Sequence, residues 1–200
     1  MKGLLAILVG LLMVACSGIT QIAEPVQYDL GDLSGKWSGS RVPIAAVDVQ
    51  AASWLAGPEM HFRLAYREPL RRQSYTESRW VAPPAELLEG FLRRRIVFGQ
   101  SGQGGNGCRL QLVLDELEQR FDEPQGSKIV LEVRAQLIPL RGAEVISRHA
   151  FLINRPAPEA IARGGVAAAR DAAQGLAEEL GSWLDSLVGD KPALVERCRT

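Results

Sequence analysis

An α+β domain, one antiparallel β-sheet with two helices packed on one face, is the architecture this sequence predicts. Three observations carry it. Ile129, Leu131, Val133, Ala135 and Leu137 alternate with Glu132, Arg134 and Gln136, the period of two expected of a half-buried strand. From Ala169 through Ala173, Leu176, Leu180 and Leu184 to Leu187, apolar residues recur at helical spacing, so one stripe of that segment seeks a core. Strand-like stretches are grouped and separated by short turns, which favours an antiparallel meander over alternating βαβ units.

The elements follow in order. Residues 42–49 are rich in β-branched side chains and predict a strand, with Pro43 tolerated near its start. Residues 51–58 form a connection. Met60, Phe62, Leu64 and Tyr66 share a face of a second strand, and residues 73–81 supply a third that pairs with it as a hairpin. Pro83-Pro84 opens a helix, because the fixed φ of proline suits a first turn, and Leu87, Leu88, Phe91 and Leu92 give it an apolar side. A glycine-rich loop, residues 99–107, ends it. Three long strands follow. In the first, Leu110, Leu112 and Leu114 face inward, and the pattern then shifts to Leu117 and Phe121, which predicts a bulge. Glu123-Pro124-Gln125-Gly126 and Arg141-Gly142 mark the turns between the three. The last helix is expected over residues 156–188, ended by Gly189-Asp190-Lys191-Pro192.

Composition sets limits on function. The chain has 200 residues, enough for one domain and a leader. Lys and Arg number 23, as do Asp and Glu. A neutral chain lacks the basic surface that nucleic acid requires, so no nucleic-acid partner is expected.

The N-terminus is the most informative segment. Lys2 precedes an apolar run from Leu4 to Val14, followed by Ala15-Cys16. The run is short for a membrane span, and small residues before a cysteine fit a lipobox. The thiol of Cys16 is the nucleophile that would take the diacylglycerol. Residues 1–15 therefore read as a lipoprotein signal peptide, 16–40 as a lipidated tether and 41–200 as the domain. Within the tether, Tyr28-Asp29-Leu30 is an apolar island suited to an edge strand. A plain secretory signal with an incidental Cys16 is the competing reading. Ser17 follows the cysteine, where aspartate would signal inner-membrane retention, so the outer membrane, facing the periplasm, is the expected location. Cys108 and Cys198 remain, and in an oxidising compartment a disulfide between them is expected.

Other patterns carry little chemistry. Residues 102–107 fit G-x-G-x-x-G literally, but a dinucleotide loop follows a strand and opens a helix, and the order here is the reverse. No cofactor is expected. His61 and His149 lie on different strands without the spacing of a metal or catalytic set, so neither a metal nor a catalytic residue is assigned. Arg93-Arg94-Arg95 and Arg71-Arg72 could meet anionic headgroups, although basic residues late in a helix also suit its dipole. Trp80, at a strand–helix junction, is expected in the core. Trp54 and Leu55 lie in a connection without charge and are the expected partner contacts.

At this point the chain resembles a family. The lipobox at Cys16, the aromatic-leucine segment Tyr28-Asp29-Leu30, Leu64-Ala65-Tyr66-Arg67, and above all Arg79-Trp80-Val81-Ala82-Pro83-Pro84-Ala85-Glu86-Leu87-Leu88 resemble the ABC-type transport auxiliary lipoproteins, the group that includes paraquat-inducible protein C. The likeness spans nearly the whole mature chain. The glycine-rich loop and the Cys108/Cys198 pair depart from the family pattern. The resemblance implies a non-enzymatic accessory role beside an ABC permease and ATPase and a membrane-anchored protein of the mammalian cell entry class, which together move phospholipids between membranes. A lipid-binding shuttle with an internal apolar cavity is the alternative, and a lipid-anchored hydrolase the third reading.

Overall fold

The computed structural model describes residues 24–31, 41–95, 106–142 and 144–198. Among them, seven strands form one sheet: β1 (Val26–Tyr28), β2 (Ile44–Ala51), β3 (Glu59–Leu64), β4 (Gln73–Trp80), β5 (Cys108–Glu123), β6 (Gly126–Pro139) and β7 (Ser147–Pro156). The helices are α1 (Pro84–Arg95), α2 (Ala162–Asp190) and the short α3 (Pro192–Glu196). The α+β class and the two long helices are as the sequence predicts.

The sheet is mixed, which refines the antiparallel expectation. Strands β5, β6 and β7 form the antiparallel meander, and β3 and β4 form the antiparallel hairpin. Strands β2 and β3, however, both lie parallel to β5, and β1 lies parallel to β4. The reason is the length of β5. Its 16 residues hold β2 against Leu110–Leu114 and then β3 against Glu118–Phe121, along the same side. The connection 52–58 carries the chain onward without reversing it. After the hairpin, α1 lies between β4 and β5 in the chain, as part of the crossover that parallel pairing requires. The expected bulge is present, as a register shift between Leu114 and Glu116.

Both long helices cover one face. Leu110, Leu112 and Leu114 of β5 and Leu131, Val133 and Leu137 of β6 point into the core, where they meet Phe91 and Leu92 of α1 and Leu176, Leu180 and Leu184 of α2. The outer edge of β2 is not left open. Glu89 Oε2 accepts from the Val49 N–H at 2.9 Å, and the Arg93 guanidinium donates to the Val47 carbonyl at 3.1 Å. Side chains of α1 thus occupy hydrogen-bonding positions that another strand could otherwise take.

Several boundaries differ from the sequence reading. The island at Tyr28 supplies the expected edge strand, but as part of the domain and not of a separate tether: β1 pairs with β4 at the sheet edge, and Leu30 is buried. Helix α2 begins at Ala162 and not at Pro156, because Pro156 still pairs with Lys128 and the Ala157 N–H still bonds to the Ser127 carbonyl. After the break at Lys191 the chain makes one more helical turn, α3, which brings Cys198 to Cys108. Gly107, just before β5, has φ of +132° and lies so close to Ala45 that a side chain there would strike it.

Candidate partner-contact surface

The connection between β2 and β3 folds as a single 3-10 turn, Ser53–Leu55. That turn separates the two expected contact residues. Leu55 is fully buried and belongs to the core; only Trp54 stays out, with 53% of its surface exposed. The partner-contact expectation for Leu55 is therefore corrected. An i to i+1 step in a tight helical turn points neighbouring side chains in different directions, and the core has room for the branched aliphatic one. Trp54 is not loose. Its ring lies over the Arg72 guanidinium, 5.5 Å from carbon to ring centroid, a favourable cation–π arrangement. Its carbonyl is 2.9 Å from His61 Nε2, and Ser74 Oγ lies 3.1 Å from the other ring nitrogen.

Beneath Trp54 is a set of charges on the sheet face away from the helices. Arg72 is paired with Glu116. Two residues along β5, Glu118 is buried and takes the Arg63 guanidinium on both oxygens, at 2.9 and 3.0 Å, with Arg120 at 3.6 Å. Arg63 also donates to the Pro69 carbonyl at 2.9 Å, so the ion pairs pin the β3–β4 loop to the sheet. Burial, reinforced by the nearby negative charge of Glu118, pushes the Glu116 carboxyl above its ordinary range. The hydrogen bond with Glu118 raises Arg63 further into its charged form. Sequence reading missed this network. Nothing local in the sequence signals that a loop folds back to cover Glu116 and Glu118.

The remaining candidates fall into structural roles. Trp80 is core, as expected. Arg93 braces β2, Arg95 lies against the Phe91 ring, and Arg71 pairs with Glu68. His149 stacks on Trp183 with centroids 5.8 Å apart and meets Phe151 edge-on. Among the described residues no three His, Cys, Asp or Glu side chains gather as a metal site would require. Cys108 and Cys198 sit at bonding distance with Cα atoms 4.9 Å apart. Cys16 and the glycine-rich stretch before Asn106 lie outside the described residues. None of the described helices is long and apolar enough to cross a membrane.

Among the described residues, two enclosed spaces are small. Between α1, α2 and the sheet, a space bounded by Leu30, Trp80, Leu88, Leu131 and Ala173 measures about 10 Å³. A neighbouring one, beside Met60, Tyr75 and Gln119, is also about 10 Å³. Each has the size of a single water, and neither admits an acyl chain. Larger clefts of about 510 and 410 Å³ are open grooves, both flanked by Tyr28 and Arg163.

No family model matches the chain, and no curated protein matches it. Solved structures do. A protein of Xanthomonas campestris described under the family DUF330 superposes with a TM-score of 0.65 at 18% identity, over 84% of this chain and 99% of that one. The two share a fold. A second crystal structure, of an uncharacterised protein, gives a TM-score of 0.54 at 15% identity, over 82% of this chain and 99% of the other. At such identities the likeness concerns the backbone architecture, and function must be argued from the surface itself.

Proposed function

We propose that this chain is a lipoprotein, acylated on Cys16 and facing the periplasm from the outer membrane. In this reading it serves as a non-enzymatic accessory component of an ABC-type intermembrane lipid-transport system. The observation that carries the reading is the contrast between small enclosed spaces among the described residues and a braced, exposed tryptophan. Among the described residues, two enclosed spaces measure only about 10 Å³ each, whereas Trp54 is presented on a turn over a partly buried ion pair. Exposed aromatic anchors on rigid supports are typical of binding hot spots. The lipobox and the Arg79–Leu88 block, which resemble those of transport auxiliary lipoproteins, supply the context.

The lipid shuttle needs an acyl-sized internal cavity, and neither of the two enclosed spaces described has that size. The test is capture of the full-length protein from native membranes under mild cross-linking. A cell-entry-class membrane protein with its permease and ATPase should be recovered, and less of it with Trp54→Ala. Recovery of the chain without any of these at native expression would overturn the proposal.

A further inference from the structure

The strands share a direction that fixes one end of the domain. Strands β3, β5 and β7 finish at that end, β4 and β6 begin there, and β1, parallel to β4, has its N-terminal side toward it. Val26 lies opposite Ser78, partway along β4, so the chain joins the sheet there while running from the direction of this end. Residues 17–23 separate Cys16 from the first described residue, Glu24. Seven residues span at most about 25 Å when fully extended. An acylated Cys16 would keep this end within reach of the bilayer.

The same end carries exposed apolar side chains that the fold leaves uncovered. Leu70, in the β3–β4 loop, is 94% exposed; Tyr66 in the same loop and Ile161, just before α2, are about half exposed. The loop cannot swing freely to bury Leu70 elsewhere. The Tyr66 N–H is bonded to the Phe121 carbonyl, Arg63 holds Pro69, and Arg72 is paired with Glu116. A nearly fully exposed leucine on a braced loop, at the end toward which the N-terminal side of β1 points, fits a group that enters a lipid surface. We propose that this end of the domain rests on the phospholipid surface, with Leu70 inserted among the headgroups and Tyr66 and Ile161 beside it. This inference rests on the acylation of Cys16 proposed above. It goes further in giving the domain a fixed orientation, which leaves Trp54, on the side of the sheet away from α1 and α2, free for a protein partner.

The test uses the full-length protein, isolated from membranes and returned to phospholipid vesicles. An environment-sensitive fluorophore is placed on Leu70→Cys or, as control, on Leu152→Cys, which is 60% exposed midway along β7. Intact mass on the same sample reports the acyl chains. With lipid brominated near the glycerol backbone, the probe at position 70 should lose roughly half its emission or more, as a group sunk ~5–10 Å into the interface does. The probe at 152 should be unchanged. An acylated sample with both probes unquenched, or both quenched equally, overturns the orientation and leaves the anchor standing. A sample without acyl chains removes the anchor and the inference together.

Discussion

The Trp54 ring lies over the Arg72 guanidinium while its neighbour Leu55 is fully buried, so two adjacent apolar residues in one 3-10 turn serve opposite ends. This division gives a direct test. Trp54→Ala removes a half-exposed ring and should barely change the melting temperature, yet weaken complex assembly by about 2 kcal/mol. Leu55→Ala should do the reverse, costing about 2–5 kcal/mol of stability by opening a core cavity. Urea unfolding and co-purification on the same pair of variants read both quantities. Equal loss of assembly in both, at equal folded fraction, would show that Trp54 is not the contact.

The raised Glu116 carboxyl makes a pH prediction. A folded-state pKa above the ordinary 4.5 means that the native state holds the proton more tightly than the unfolded chain. The carboxyl then contributes least at high pH, and stability is recovered as pH falls from above the folded value toward about 4.5. Glu116→Gln removes this dependence. Its stability relative to wild type should therefore improve as pH rises from about 4.5 toward neutrality. Urea titrations at several pH values would show it; a relative stability that falls over that window would contradict the burial of Glu116.

How much of this could be read from the chain depends on which forces are local. The β6 alternation at residues 129–137 and the α2 stripe report burial of a single face, so both elements were visible, as was the shift at Leu114 that became the bulge. The pairing partners of β2 and β3 were not. Both lie parallel to β5, an outcome set by the length of β5 and by a crossover distant in sequence. The site divided in the same way. Trp54 was legible as an uncharged residue in a connection. The Arg72–Glu116 and Arg63–Glu118 pairs beneath it span 44 and 55 residues, and charged residues on a polar face look the same whether a loop covers them or water does.

Replacing Cys16 should separate anchoring from folding. The described core closes without any residue before Glu24, so Cys16→Ala should yield a folded domain that is no longer retained on membranes. Palmitate labelling and fractionation are the measurements. Wild-type protein that takes up no label would remove the lipoprotein reading.

A bridge between Cys108 and Cys198 would close a loop across a separation of 90 residues. Chain-entropy reasoning assigns about 4–5 kcal/mol to a loop of that size, less any strain in the native state. Thiol titration of denatured, non-reduced protein from the periplasm should find no reactive cysteine other than a non-acylated Cys16. Cys198→Ser should lower the urea midpoint markedly, and reduction of the wild type should lower it by a similar amount. Two free thiols from Cys108 and Cys198 would refute the bridge.

The N-terminal part of α2 lies against the sheet, and Gly165 is the point of contact. A Cβ at that position would run into the Gln119 side-chain carbonyl. Gln119 cannot easily retreat. It is buried, its Oε1 accepts from the Tyr75 hydroxyl at 3.0 Å, and its Nε2 donates to Ser127 Oγ at 2.8 Å and to the Ile161 carbonyl at 3.2 Å. The same burial pushes the Tyr75 hydroxyl up to about 12, so it remains a donor throughout the physiological range. Gly165→Ala must therefore break part of this network or lift the helix, at about 1–3 kcal/mol. Gly189, in the last turn of the same helix, has open space around it. Gly189→Ala should be neutral or stabilising by up to about 1 kcal/mol through helix propensity. Urea midpoints of the two variants should move in opposite directions or, at the least, only the first should fall. A neutral Gly165→Ala would mean that Gln119 yields without loss, and that α2 is not held against the sheet by this contact.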